Sequence, residues 1–334
     1  MAVRREEAHD GSMSHRRAVI VAPLLAVVLL AAACGGSAQP TATGTSRSGA
    51  VSVQPSAPSV TSSPQVAAAV APHVSKLLVI VLENHSRSQA LTQMPALAAQ
   101  ARRYGQATQW YAVAHPSLPN YLELAGGSTF GVRDDKNPSS HHLRGRSVFG
   151  QLYAAHHSVR AYVESMPSAC AQTNSGRYAV RHNAWAYFTW ATERTWCRRY
   201  DIPAGTTSRG ALHDDIVAGR LPRYAQLIPD VCHDGHDCSL ATADAWLGAW
   251  LKRIEAGPDF TSGRLAVVVT FDEDDRHASN HVAFVVAAAQ LHGRSVSTRF
   301  THASLAAAPS RLVGLRPLRY AASSPDVLKA FGLR

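Results

Sequence analysis

The sequence predicts an α/β protein with a mostly parallel central sheet and helices on both of its faces. Two apolar runs rich in β-branched residues, 76–82 and 264–271, are typical of strands buried on both faces of a parallel sheet. Segments 91–103 and 241–256 carry apolar residues at helical spacing. Alternation of such strands and helices favours parallel pairing, because parallel strands need a long crossover connection.

Shorter patterns complete the predicted domain. We expect further strands over 106–113, 159–163 and 281–288, and further helices over 121–125 and 147–156. The stretch at 115–120 contains two prolines, and we expect it to be a loop.

The composition is that of a globular protein with a basic surface. The chain has 334 residues, of which 46% are hydrophobic and 17% are charged, and its formal net charge is +10. Such a surface attracts anions, including phosphate esters and lipid headgroups. No basic run is interleaved with aromatic residues and no nucleic-acid-binding motif is present, so we expect no nucleic-acid partner. We expect a monomer.

The first 34 residues have the pattern of an export signal. Arginines precede an apolar run at 18–33, and small residues end that run. Cys34 follows directly, as in a bacterial lipoprotein signal, in which the cysteine becomes lipidated after cleavage. We therefore expect export and a lipid anchor at Cys34, on the outer face of the cytoplasmic membrane. Simple secretion is the alternative.

Residues 35–74 have a different composition from the rest. Ser, Thr, Pro, Ala, Gly and Val dominate there, with almost no charged or aromatic residue. Such a segment cannot bury enough apolar surface to offset its ordering entropy, so we expect a flexible linker. The catalytic domain is then 75–334.

The other four cysteines are expected to form disulfides, because export places them in an oxidising compartment. Cys232 and Cys238 are close enough in sequence to close a small loop, which leaves Cys170 and Cys197 as the second pair. A cysteine metal site is the alternative, although no C-x-x-C spacing is present.

Acidic residues follow two of the predicted strands directly. Glu83 and Asn84 come after the first strand, and Asp272 and Glu273 come after the strand at 264–271. In open α/β sheets, ligands bind at the carboxyl ends of the strands. Carboxylates gathered at that edge would suit a divalent cation. Solvated loop starts are the simpler alternative for either cluster alone.

Ser117 is the candidate nucleophile. It lies in His115-Pro-Ser-Leu-Pro-Asn120, where prolines restrict the backbone on both sides. A nearby cation would lower the pKa of the Ser117 hydroxyl and neutralise phosphate oxygens. The Asn120 amide could donate to the substrate. A serine in an ordinary proline-rich turn is the alternative.

Three further segments carry residues suited to the same chemistry. Asp234 and His236 lie inside the predicted Cys232–Cys238 loop and could reach one cation or one phosphate. Arg181, His182 and Asn183 are consecutive and could bind phosphate or protonate a leaving group. His302 is a candidate near the end of the chain.

Together these motifs resemble the bacterial and fungal acid phosphatases and the related phospholipases C of the alkaline-phosphatase superfamily. Eight segments match in type and order: 81–86, 115–121, 162–167, 178–183, 232–238, 243–247, 270–273 and 301–305. The resemblance covers about 76–333. It implies a three-layer alkaline-phosphatase-like sandwich.

The resemblance also implies roles for individual residues. Ser117 would be the nucleophile, with Asn120 and His182 acting on the phosphate and Arg181, Asn183 and His115 binding substrate. A divalent cation would be held by Glu83, Asn84, Asp272, Glu273, Asp234, His236 and His302.

We therefore expect an exported, metal-assisted acid phosphatase that forms a phosphoserine intermediate, with phosphatidylinositol 3-phosphate among the possible substrates. A phospholipase C-type phosphodiesterase is the first alternative. An inactive lipoprotein that only binds phosphate esters is the second.

Overall fold

An eight-stranded sheet forms the centre of the protein, for which the computed structural model describes residues 73–334. Its strands in spatial order are β5 (Asp201–Pro203), β4 (Val159–Val163), β6 (Tyr224–Ile228), β1 (Lys76–Leu82), β7 (Leu265–Phe271), β8 (Phe284–Ala287), β2 (Gly105–Ala107) and β9 (Arg294–Val296). The strands from β5 to β7 pair in parallel, whereas β8 is antiparallel to both neighbours. Two short strands, β3 (Trp110–Tyr111) and β10 (Phe300–Thr301), pair separately.

Both faces of this sheet are covered. All seven residues of β7 are buried, and so are all but the first residue of β1. Because successive side chains of a strand point to opposite faces, continuous burial requires packing on both sides. The predicted α/β architecture with a mostly parallel sheet is confirmed.

The helices form two groups that pack within themselves. One group contains α1 (Arg87–Gln93), α2 (Pro95–Arg103), α6 (Ala211–Val217), α7 (Leu240–Glu255) and α8 (Pro258–Thr261). The other contains α3 (Ser117–Gly126), α4 (Val148–Ala154), α5 (Ala191–Tyr200), α9 (His302–Leu312) and α10 (Val327–Ala330). Short 3₁₀ turns at Val180–His182, Ala184–Tyr187 and Arg319–Ser323 accompany the second group.

The prediction for 115–120 is wrong in one respect that matters for the site. Helix α3 begins at Ser117, so the serine occupies the first turn of a helix and not a loop. Pro119 is compatible with this position, since the amide protons of a first helical turn have no partner within the helix. The helix ends at Gly127, whose φ of 68° and close approach to the Leu318 carbonyl exclude a side chain.

Other element boundaries also differ from the expectations. The helix expected over 91–103 is two helices, separated at Met94 because Pro95 starts α2. The strand expected over 106–113 is two short strands, β2 and β3. Strand β6 and helix α9 were not predicted, although β6 lies beside β1 in the sheet.

The two expected disulfides, Cys170–Cys197 and Cys232–Cys238, are present. The first lies beside the fully buried Asp201, which accepts a hydrogen bond from Asn183 Nδ2 at 2.8 Å. Asn183 was expected to bind substrate, but its side chain is fully buried and its Nδ2 donates to Tyr178 and Asp201 in this structural cluster. Burial raises the pKa of Asp201 to about 7.

The predicted signal, the linker and Cys34 lie outside the described residues, apart from the linker's last two positions, 73 and 74. Within 73–334, no helix combines the length and apolar character needed to cross a membrane.

The wild type should lose stability as the pH rises from about 4 to 7, and Asp201→Asn should lose less over this range. The pKa of Asp201 rises from 3.8 to about 7 on folding, so its contribution favours the folded state at low pH and weakens as the pH rises through this window. Thermal unfolding midpoints of the wild type and variant across this range measure the effect. Parallel pH profiles for the two proteins would contradict the assignment.

Candidate active site

The carboxyl ends of β1 and β7 bring two predicted acids together. The strands are parallel neighbours in which Leu82 pairs with Phe271, so Glu83 and Asp272 emerge side by side. The backbone N–H of Asn84 donates to Asp272 Oδ1 at 3.0 Å, with Asn84 in the left-handed region at φ 58°. Glu83 and Asp272 are both fully buried.

A third acid, Asp234, reaches the same point from the other side of β1. It lies in the connection after β6, and its carbonyl accepts a hydrogen bond from the Glu83 N–H at 2.9 Å. Asp234 Oδ1 accepts from the His236 N–H at 2.8 Å, and the Cys232–Cys238 disulfide closes this loop. The buried acids therefore come from three adjacent parallel strands.

Ser117 faces this group of acids. Its hydroxyl donates to Glu83 Oε2 at 3.1 Å, and the side chain is buried. As the first residue of α3, Ser117 lies at the positive end of the helix dipole, which stabilises a developing negative charge. The proposed nucleophile and the strand-end acids are thus in direct contact.

His182 and Tyr121 complete the buried core of the site. Their rings stack at 5.1 Å, and the Tyr121 hydroxyl donates to Glu83 Oε1 at 2.5 Å. His182 Nε2 lies 3.3 Å from Glu83 Oε1, and His182 Nδ1 lies 3.0 Å from Asp234 Oδ2. Neither contact has hydrogen-bond alignment.

Burial dominates the electrostatics of these groups. It raises the pKa of Glu83 well above its ordinary value, and the nearby charges of Asp272 and Asp234 raise it further. Burial also raises the pKa of Asp272 and of Asp234 to about 7. The pKa of His182 falls well below its ordinary value, first through burial and then through Arg181, so the imidazole is neutral.

The unpaired atoms of the site fit a cation. Asp234 Oδ2, Asp272 Oδ2 and His182 Nε2 are buried and have no hydrogen-bond partner among residues 73–334. Glu83, His182 and Asp234 can each offer a ligand atom, with all three atoms within 4.8 Å of one another. Because buried polar atoms are normally hydrogen-bonded or bound to a metal, this arrangement suits a divalent ion.

Glu273 and His115 form a second acidic contact next to this core. His115 Nδ1 lies 2.9 Å from Glu273 Oε2, and His115 Nε2 lies 3.1 Å from Asp274 Oδ1. Burial, followed by the charge of Asp272, raises the pKa of Glu273 to about 9. His115 is about one fifth exposed and lies at the edge of the site.

Asn120 and His302 have different roles from those expected. The Asn120 amide is fully used, because Oδ1 accepts from the backbone of Val113 and Ala114 and Nδ2 donates to the Ala114 carbonyl. His302 Nε2 donates to the Asp272 carbonyl at 2.6 Å, and its Nδ1 accepts from Trp110. The geometry therefore favours positioning roles for both, over phosphate contact by Asn120 and metal ligation by His302.

Arg181 and His236 lie together where the site meets solvent. An Arg181 guanidinium nitrogen is 3.1 Å from His236 Nε2, while His236 Nδ1 is 2.6 Å from Asp237. Both ring nitrogens of His236 are therefore engaged, which disfavours its expected role as a metal ligand. Burial raises the pKa values of Glu83 and Asp234, and the positive charge of Arg181 offsets part of that rise.

Sequence reasoning missed two contributors, Tyr121 and Asp135. Tyr121 follows Asn120 directly, so its place one turn into the serine helix was the available signal. Asp135 is exposed, and its Oδ1 accepts a hydrogen bond from the Leu118 N–H at 2.9 Å. The Leu118 N–H, the first backbone amide of α3 after Ser117, is thus bonded to a carboxylate. Nothing in the sequence indicates that Asp135 and Leu118 are in contact.

Comparison with known proteins identifies the family. The Phosphoesterase family matches residues 74–301. The chain belongs to this family. The match confirms the expected class, a phosphoric ester hydrolase.

The relatives of this phosphoesterase include named phosphatases. It is 26% identical to the phosphatidylinositol-3-phosphatase of Mycobacterium tuberculosis, over 80% of this chain and 87% of that protein. It is 32% identical to the phosphate-repressible acid phosphatase of Penicillium chrysogenum, over 63% of this chain but only 52% of the fungal protein. A solved protein of the alkaline phosphatase superfamily from Vibrio parahaemolyticus matches with a TM-score of 0.49 and 13% identity, over 72% of this chain and 67% of that one.

Asp135→Asn should strengthen the binding of inorganic phosphate. The Asp135 carboxylate accepts a hydrogen bond from the Leu118 N–H beside Ser117, where its negative charge repels an anion; asparagine removes that charge. A helix-terminus interaction of this kind corresponds to roughly a two- to five-fold change in affinity, which calorimetric titration with phosphate measures.

Asp134→Asn is the matched control, because the Asp134 carboxylate instead contacts His141 at 2.5 Å. Equal effects of the two substitutions would show that general charge, and not the Leu118 contact, controls phosphate affinity.

Proposed function

We propose that this phosphoesterase is a metal-assisted phosphomonoesterase in which Ser117 is the nucleophile. The observation that carries the proposal is the placement of the Ser117 hydroxyl, which is buried, lies at a helix N-terminus and donates to Glu83 Oε2 at 3.1 Å. Such a hydroxyl is oriented by an acceptor and faces the positive end of a helix dipole, as an activated nucleophile requires.

The reaction proceeds in two displacements at phosphorus. The Ser117 oxygen forms a bond to phosphorus as the bond to the alcohol oxygen breaks, which releases the alcohol and leaves phospho-Ser117. Water then attacks the same phosphorus, the bond to the Ser117 oxygen breaks, and inorganic phosphate is released. Glu83 Oε2, which accepts the Ser117 hydrogen bond, is placed to receive the hydroxyl proton in the first displacement and to return it to the Ser117 oxygen in the second. His115 would give a proton to the alcohol oxygen and recover one from the attacking water.

Glu83, Asp272, Asp234 and His182 would hold the divalent cation. Asp272, Asp234 and His182 each have a buried atom without a hydrogen-bond partner among residues 73–334. Glu83 offers a ligand atom within 4.8 Å of those of His182 and Asp234. When bound, such an ion supplies Lewis-acid stabilisation of the charge on the phosphate oxygens and the serine oxygen. Asn84 and Glu273 lie beside this set and remain candidate ligands. The Asn84 N–H bonds Asp272, and the Glu273 carboxylate contacts His115.

The remaining polar groups would orient the substrate. Arg181 supplies the positive charge at the mouth of the site, where a phosphate dianion would enter. The Leu118 N–H at the start of α3 would donate to a phosphate oxygen once Asp135 moves away. His115, partly exposed beside Glu273, lies where a leaving group could be protonated.

The relatives and the sequence of the first 34 residues support a substrate class and a location. The relatives described above are named as an acid phosphatase and a phosphatidylinositol-3-phosphatase. These names support a phosphate monoester of an alcohol or of an inositol lipid as the substrate. The apolar segment 18–33 followed by Cys34 supports export and attachment to the outer face of the cytoplasmic membrane.

Ser117→Ala should lower the turnover of p-nitrophenyl phosphate by at least about a thousand-fold, since no other hydroxyl replaces the nucleophile. Its thermal unfolding midpoint should stay near that of the wild type. Ser239→Ala, which removes a serine from the N-cap of α7, is the control and should retain turnover. Turnover by Ser117→Ala at the wild-type rate would refute the nucleophile assignment.

Asp272→Asn should lose most of the bound divalent metal, measured by elemental analysis of the purified holoenzyme, and chelation should reduce wild-type activity. Removing one charge from a multi-carboxylate cation site weakens ion binding strongly. Asp201→Asn is the matched control, because Asp201 is an equally buried acid with a pKa of about 7 that lies outside the site. Full activity after exhaustive chelation would refute the metal requirement.

A further inference from the structure

Three segments of the second helical group form one surface, which we call the basic face: residues 142–146, 189–199 and 314–320. They contain seven arginines, which are Arg144, Arg146, Arg194, Arg198, Arg199, Arg316 and Arg319. Their only acid is Glu193, which is 1% exposed and accepts hydrogen bonds from Ser147 and Trp185. The accessible charge of this surface is therefore entirely positive.

The segments are contiguous in space. Residues 142, 144 and 145 line one surface cavity together with residues 189–191. Arg319 donates to the Arg146 carbonyl at 3.0 Å, which joins the third segment to the first. The Arg146 guanidinium lies 6.0 Å from the Trp196 ring, which joins the first to the second.

The arginines of the basic face are not used in ion pairs among residues 73–334, where the arginine ion pairs involve other positions. Arg144 and Arg316 are exposed, and their side chains make no hydrogen bond in this part of the chain. Charge that is exposed and unpaired over three segments is available to an external anionic partner.

Two large aromatic side chains stand exposed on the same surface. Trp190 is 56% exposed and Tyr320 is 75% exposed, and few other large apolar residues of 73–334 are as accessible. Trp and Tyr are enriched where proteins meet the headgroup region of a bilayer, since one end of the ring is apolar and the other is polar. Arginines beside them suit anionic headgroups.

Two segments of the proposed active site continue in sequence to the basic face. The segment that carries Asp135, whose carboxylate bonds the Leu118 N–H, continues to Arg144. The segment that carries His182 continues to Trp190. The two segments pair with each other where Leu143 lies beside Phe188, directly before the basic face. Arg319 donates to the carbonyl of Gly126, the last residue of the helix that begins at Ser117.

We propose that the basic face binds the surface of an anionic phospholipid bilayer. The arginines supply the attraction to the headgroups, and Trp190 and Tyr320 enter the interfacial region. This contact depends on charge and exposed aromatic area, and not on the hydrolytic reaction.

Vesicle binding tests the proposal directly. The full chain and its variants are sedimented with vesicles of phosphatidylcholine, or of phosphatidylcholine mixed with phosphatidylserine. Each basic residue near an anionic surface changes partitioning by about five-fold, so Arg144→Gln/Arg316→Gln should lower binding to the anionic vesicles by roughly 25-fold. The apolar segment 18–33 is present in every variant, so differences between variants report on the basic face.

Arg102→Gln/Lys252→Gln is the matched control. Both residues are exposed and lie on α2 and α7, in the other helical group, so this pair should change binding by less than about two-fold. Trp190→Ala should lower the part of the binding that persists at high salt, because apolar insertion is not screened. Ser117→Ala should bind like the wild type, which separates this test from the proposed reaction.

Equal losses in the two double variants, or unchanged vesicle binding in Arg144→Gln/Arg316→Gln, would overturn the proposal. It would also be overturned if that variant lost binding to duplex RNA or DNA while it kept its affinity for the anionic vesicles.

Discussion

The convergence of buried carboxylates at the ends of β1, β6 and β7 is the constraint on which the site depends. Glu83, Asp272 and Asp234 lie together in a region where burial already disfavours charge, and their mutual repulsion adds to that cost. A fold retains such an arrangement when the acids bind a cation or share protons. The raised pKa values and the unpaired oxygens are two consequences of this one arrangement.

The surrounding structure fixes these acids from the backbone. Asp272 is held by the Asn84 N–H on one side and through its carbonyl by His302 on the other, while the Asp234 carbonyl is bonded by the Glu83 N–H. The Cys232–Cys238 disulfide restricts the loop of Asp234. Backbone N–H groups take up one oxygen of each of these two carboxylates, and Asp272 Oδ2 and Asp234 Oδ2 stay available for a ligand. His302 supports this arrangement through the Asp272 carbonyl, and Asn120 supports it through the backbone that precedes Ser117.

Helix α3 contributes several residues to the candidate site. Its first residue supplies the candidate nucleophile, its first free amide is bonded by Asp135, and its Tyr121 contacts Glu83. The segment of Asp135 continues in sequence to Arg144 of the basic face. Helix α3 therefore makes three of the contacts on which the proposed function depends.

The sequence by itself determined the α/β class, the strands at 76–82 and 264–271, the disulfide pairs and most of the residues gathered at the site. These follow from local pattern, because continuous β-branched runs identify buried strands and acids at their ends must share one sheet edge. It did not predict β6, whose short segment lacks a distinctive pattern, nor the helical start at Ser117.

Only the tertiary structure decided which polar side-chain atoms lack a hydrogen-bond partner and can bind a ligand. Asn120, Asn183, His236 and His302 carry the right chemical groups, but their hydrogen bonds are made by partners distant in sequence or by local turns. The contact of Asp135 with Leu118 likewise joins separate segments. A residue's type and spacing indicate what it can do, whereas its availability depends on neighbours that only folding brings together.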